Sequence, residues 1–122
     1  MRRRQFEELV REALDALPRE FAERIENVEV IVEDWPTRGQ LEETGVPPGQ
    51  TLLGLYVGTP VPERAKGYFG VLPDIIYLFQ RPIEEACRTD EEIVQEIRAT
   101  VIHEVGHYFG LSEEDIEQAM DR

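Results

Sequence analysis

Phe6, Leu9, Val10, Ala13, Leu14 and Leu17 recur at the three- and four-residue spacing of one helix face, so residues 4 to 17 predict an amphipathic helix. Pro18 ends that helix or opens a short second one over PREFAERI. In VEVIVED, 28 to 34, Val28, Val30 and Val32 alternate with other residues, which is the period of a strand. TLLGLYVG, 51 to 58, predicts a second strand, and Gly54 within it points to a bulge or to the close approach of another backbone. DIIYLFQRP, 74 to 82, is apolar on both faces and predicts a well-covered strand. Thr89 with Glu92 forms a capping box for a long helix over 90 to 109, with Val94, Ile97, Val101, Val105 and Tyr108 on its buried face. Gly110 stops that helix, and Ser112 with Asp115 caps a last short one ending at Met120.

Between these elements, residues 35 to 50 hold Pro36, Gly39, Gly45, Pro47, Pro48 and Gly49 and read as a long surface loop. TPVPERAKGYFGVLP is loop-like too, with a short extended piece at Tyr68 to Val71. No linker divides the 122 residues, so the expectation is one domain over 1–122. Its class is α/β (α+β): a small mixed β-sheet packed against the N-terminal helix and the long helix.

Charge and cysteine content narrow the partners. Twenty-six acidic against 13 basic residues give a net charge of −13, which repels phosphate backbones, so no nucleic acid is expected. A neutral or basic peptide suits the surface better. The one cysteine, Cys87, rules out an internal disulfide and a Cys-rich zinc finger, and reads as a small buried hydrophobe. MRRRQFEELVREAL lacks the apolar run of a signal peptide, and no segment approaches membrane-spanning length. The expectation is a cytoplasmic protein with no membrane partner, a monomer or weak oligomer.

The chemistry lies at the end of the long helix, in HEVGH, 103 to 107. On a helix His103 and His107 stand about 40° apart and roughly 6 Å along the axis, so both imidazoles can reach one metal ion. Glu104 lies about 100° round from His103, beside the site, where it can take a proton from water. Zinc needs a third protein ligand and keeps a fourth position open. On a straight helix Glu113 would point about 240° away from His107, and Glu114 would lie about 10 Å too far along. A left-handed Gly110 lets the chain reverse, and the residues after it then suffice to bring Glu113 back. The alternative reading of Glu113 is an acid in the first turn of the last helix, favoured by the dipole.

HEVGHYFGLSEED has the pattern His–Glu–x–x–His–x–x–Gly–x–x–Glu and resembles the compact zincin-like metallopeptidase family of bacteria. It is also similar to the metzincin signature, with an acid in place of the third histidine. LLGLYVGTPVPER, GVLPDIIYLFQRP and IRATVIHEVGHYFG extend the resemblance over about residues 50 to 115. The resemblance implies a zincin-like fold, a zinc ion and hydrolysis of a peptide or protein substrate. By motif position it makes His103, His107 and Glu113 the ligands and Glu104 the general base. The sequence departs from metzincins in its methionines: only Met1 and Met120 exist, and Met120 falls in a predicted helix, so no methionine turn is expected.

An extended peptide would add along an exposed sheet edge, supplied by TLLGLYVG or by the piece around Tyr68. Arg64, Lys66 and Tyr68 are candidates to bind a substrate carbonyl or carboxylate. Gly106 reads as room for a strand, or for the metal's surroundings, beside the helix. Glu43, Glu114, Asp115 and Glu117 read as a solubilising surface. Two rivals stay open at this point. One is a non-catalytic module that keeps zinc for stability or for a partner, and the other is a protein-interaction module with a vestigial peptidase motif.

Overall fold

The computed structural model describes residues 1–59 and 72–122. Helices α1 (Arg3–Asp15) and α2 (Arg19–Arg24) lead into strand β1 (Val28–Glu33). Helix α3 (Arg38–Glu43), strands β2 (Gly54–Val57) and β3 (Asp74–Phe79), and helices α4 (Gln80–Glu85), α5 (Asp90–Tyr108) and α6 (Glu113–Met120) follow. The result is a mixed α+β fold with, among the described residues, a three-stranded mixed sheet and six helices. None of these helices is long and apolar enough to cross a membrane.

The sheet order is β1-β3-β2, with β3 parallel to β1 and antiparallel to β2. The most apolar strand is therefore central, as its sequence requires. Ile76 and Leu78 of β3 are fully buried, while Ile75 and Tyr77 on the opposite face are half-buried. Helix α5 lies against β2 and β3, and α1 lies against α5. Phe6, Val10 and Ala13 of α1 meet Ile97, Val101, Ile102 and Val105 of α5 in one core with Phe21, Ile83 and Ile116.

Three expectations need correction. The stretch 35 to 50 is not all loop, because Thr37 and Gln40 form a capping box that starts α3: Gln40 N donates to Thr37 Oγ1 at 3.0 Å and Thr37 N to Gln40 Oε1 at 2.8 Å. The strand expected to reach residue 82 ends at Phe79 and turns directly into α4. Pro82 does not oppose this, since it sits in the first turn, where its missing N–H has no helical partner to lose. Third, Tyr108 is half-exposed rather than on the buried face.

One charged residue is part of the interior. Arg98 is 6% exposed and donates to four main-chain carbonyls: Ala16 at 3.0 Å, Met120 at 3.1 Å, Ala119 at 3.3 Å and Arg122 at 2.5 Å. Ala16 is the C-cap of α1, and Ala119 and Met120 close α6, so the cation also meets the negative end of each helix dipole. Helices α1 and α6 are thereby tied to the middle of α5.

At the other end of α6, Gly106 of α5 faces Ile116. A Cβ on Gly106 would lie 2.6 Å from Ile116 Cγ1 and 2.8 Å from its Cδ1, and Ile116 is fully buried. Gly106→Ala should therefore destabilise the protein by about 1–2 kcal/mol, overpacking outweighing a helix-propensity gain of about 1 kcal/mol. Ile116→Ala alone should cost about 2–4 kcal/mol. In the Ile116→Ala background the first substitution should reverse sign and stabilise, because the overlap is gone. Urea unfolding of the four proteins measures this. Additive losses would show that the two positions do not compete for the same space.

Candidate metal centre

The last two turns of α5 carry His103 and His107. His103 is half-buried, and its Nδ1 lies 3.0 Å from the carbonyl of Ala99. Donation to that carbonyl leaves Nε2 as the nitrogen with a free lone pair. His107 is half-exposed, and its Nε2 lies 2.9 Å from Glu113 Oε1. The two ring centroids are 5.9 Å apart. Two imidazoles on one tetrahedral zinc, each with a bond of about 2.0 Å, would have centroids about 5.2 Å apart. A small ring rotation closes that difference, so the donors fit the ion. They are not already gathered round it: among the described residues no three such groups converge at ligand distance.

The reversal that delivers Glu113 is built as the sequence suggests. Gly110 has φ +74°, Gly110 N donates to His107 O at 3.1 Å, and Leu111 N donates to Gly106 O at 2.8 Å. That pair of bonds is the Schellman ending of a helix. Ser112 then caps α6 by accepting from Asp115 N at 3.1 Å. Glu113 is thus the first residue of α6, mostly exposed, and still touches His107. The first turn of the last helix and the vicinity of the histidines are the same place. Among the described residues, Glu114 and Asp115 make no side-chain bond to either histidine.

Glu104 projects toward the sheet instead. Leu53 O accepts from Phe79 N, so alternate residues of this strand turn their polar groups to β3, and Tyr56 turns its N–H outward. Glu104 Oε1 accepts that N–H at 2.9 Å. Burial pushes the Glu104 carboxyl above the usual carboxylate range, against the opposing pull of the Tyr56 N–H and of the two histidines. The Tyr56 phenol is pushed up as well, by burial and by its bond to Asp74, so it stays protonated and donates to Asp74 Oδ2 at 2.6 Å. Asp74 Oδ1 accepts from Thr59 N at 2.9 Å. The Tyr56 ring stacks on Tyr108, with centroids 4.0 Å apart and planes 24° apart.

Four anticipated residues therefore stand at one end of α5: His103, Glu104, His107 and Glu113. Arg64, Lys66 and the piece from Tyr68 to Val71 lie outside the described residues. Cys87 lines a neighbouring cleft with Glu92 and Glu96, is half-buried rather than fully buried, and has its thiol pKa raised first by burial and then by those carboxylates. It is a thiol, not a poised thiolate. Gly106 admits Ile116 of α6, neither a strand nor metal surroundings. Tyr56 was not anticipated, because its contribution to Glu104 is a main-chain N–H that carries no side-chain signal.

Among known proteins, the family model described as zincin-like metallopeptidase matches residues 25–121. A conserved hypothetical protein from Thermus thermophilus has a similar solved structure, with a TM-score of 0.57 and 24% identity over 88% of this chain and 92% of that one. That likeness is one of fold alone. No curated protein matches the sequence.

The raised carboxyl of Glu104 has a consequence for stability. Folding disfavours its ionised form, so the cost is present at neutral pH and is relieved as the pH falls through the folded pKa. Glu104→Gln removes the charge and keeps an oxygen to accept from Tyr56. The metal-free variant should resist urea better than wild type at neutral pH, and the advantage should shrink toward about pH 4. Equal stability at neutral pH would mean that the histidines fully offset the burial.

Proposed function

Because the chain belongs to the zincin-like metallopeptidase family, we propose that it is a zinc-dependent peptidase in which His103, His107 and Glu113 hold the metal and Glu104 is the general base. The observation that carries this reading is the 2.9 Å contact between His107 Nε2 and Glu113 Oε1, made across the reversal at Gly110. Two imidazoles and a carboxylate are a donor set suited to zinc, with one position left for chemistry. Bound there, the ion would supply Lewis acidity, polarising a scissile carbonyl and acidifying a water.

This chain's own residues would do the rest. Glu104, with one oxygen fixed by the Tyr56 N–H, has its other oxygen available to take a proton from water and return it to the leaving amine. Its raised pKa suits that exchange, since a stronger conjugate base takes the proton more readily. Among the described residues, strand β2 is a sheet edge beside the same carboxylate. An extended peptide adding to it would bond to the outward main-chain groups of Gly54 and the carbonyl of Tyr56, the Tyr56 N–H being already engaged.

Zinc titration of the metal-free protein should give one ion per chain, and His103→Ala or His107→Ala should abolish tight binding. Glu113→Ala should weaken it by more than about 100-fold, beyond the range of an outer-shell partner. Glu114→Ala and Asp115→Ala should change it by less than about twofold. Equal losses for all three acids would mean a diffuse charge effect, and no loss at Glu113 would leave two histidines and end the peptidase reading.

Glu104→Gln should keep the zinc and lose about 10²- to 10⁴-fold in peptide hydrolysis, the usual worth of a general base. Turnover at the wild-type rate would remove Glu104 from the mechanism.

A further inference from the structure

Glu96, Ala99, Thr100, His103 and Glu104 follow the i, i+3, i+4, i+7, i+8 spacing of a single stripe along α5. That stripe is the floor of a cleft of about 410 Å³, walled by Leu52 and Leu53 on the chain entering β2 and by Met120 of α6. The cleft starts at His103, one proposed ligand, and at the proposed base Glu104, and ends at the carboxylate of Glu96. Small side chains at Ala99 and Thr100 keep the floor low between them. Past Glu96 it adjoins a second cleft of about 520 Å³, which shares Glu96, Ala99 and Met120 and carries Glu91 and Glu92 on its lining.

We propose that the 410 Å³ cleft is a side-chain subsite that selects lysine or arginine beside the bond to be cleaved, with Glu96 pairing with the cationic tip; this rests on the peptidase reading above. Seven residues of helix separate Glu96 from His103, about 10 Å along the axis. An extended lysine or arginine side chain spans most of that distance, and an ion-pair contact of about 3 Å completes it. A leucine would stop among Leu52, Leu53 and Ala99 and leave the carboxylate unmet. A glutamate would be repelled.

The aliphatic stem of a long basic residue suits apolar walls while its head stays at the polar end. Among the described residues no cation forms an ion pair with Glu96. The buried Arg98 two residues on is committed to main-chain carbonyls. The net charge of −13 further favours approach of basic peptides.

The test is kcat/KM of the zinc-loaded protein on peptides identical except for Lys, Arg, Leu or Glu on either side of one bond. Lys and Arg should exceed Leu by about tenfold or more at one of the two positions, the worth of one partly shielded ion pair. Glu96→Gln should lower the ratio of Lys to Leu cleavage about tenfold, and Glu96→Lys should turn the preference toward Glu. Binding of the same peptides to the Glu104→Gln protein, read by fluorescence anisotropy, reports the subsite without turnover. Cleavage without basic preference, or a preference that survives both Glu96 variants, overturns the subsite and leaves the peptidase reading intact. No cleavage of any peptide, together with Glu96-dependent binding of the Lys peptide, sinks the peptidase reading and keeps the subsite. Neither cleavage nor Glu96-dependent binding overturns the subsite as well.

Discussion

Everything proposed for this molecule depends on how closely α6 lies against α5. Gly106 leaves the gap that Ile116 fills, and Gly110 supplies the left-handed residue that lets the chain double back into it. The far end of α6 is fastened by Arg98, which takes the carbonyls of Ala119 and Met120. A short helix held at both ends has its first residue and its last in fixed positions. Glu113 at the first reaches His107, and Met120 at the last walls the cleft over Ala99. A packing contact between two apolar surfaces thereby sets the positions of a candidate ligand and a candidate subsite together.

The same helix carries a charge that folding would be better without. Glu104 is partly shielded between α5 and β2, with a raised pKa that marks the cost of keeping it ionised there. A structural role alone would be served by glutamine, whose amide oxygen also accepts the Tyr56 N–H, without a buried charge. Local stability given up in this way is characteristic of residues kept for chemistry, although structural networks also shift pKa values. Burial here combines with two flanking imidazoles and an edge strand. That combination is what the proposed role of Glu104 as a base draws on.

Much of this was legible in the sequence because it rests on local rules. The caps at Thr89 and Ser112, the stop at Gly110 and the spacing of His103 and His107 each follow from a few adjacent residues. Helices α3 and α4 were missed for different reasons. In α3 the Thr37–Gln40 box was readable, but the prolines and glycines around it outweighed a six-residue helix that buries nothing. In α4 the apolar run of β3 stops at Phe79, and Gln80, Arg81 and Pro82, which open the helix, read from the sequence as its continuation. Tyr108 followed the apolar periodicity of α5, yet its ring is half-exposed and stacks on Tyr56. Arg98 carries no local signal of its role. Its partners are carbonyls on two distant helix ends, and only the tertiary fold brings them within reach.

Strand β2 shows what those non-local contacts accomplish. Among the described residues it is an edge strand of only four residues, and an isolated pairing with β3 would leave it free to fray. Three further contacts bind it to α5. Gly54 lies so close to Thr100 that a Cβ would fall 2.6 Å from its methyl group, the Tyr56 N–H holds Glu104, and the Tyr56 ring stacks on Tyr108. The first is a van der Waals contact, the second a charge-assisted hydrogen bond and the third an aromatic stack, spread over two turns of the helix. The strand that would receive a peptide is thus fixed to the helix bearing the histidines, and the phenol of Tyr56 is itself fixed to Asp74 at the start of β3. In the proposed mechanism a peptide bound along this edge would meet Glu104 at a distance and angle that these contacts set.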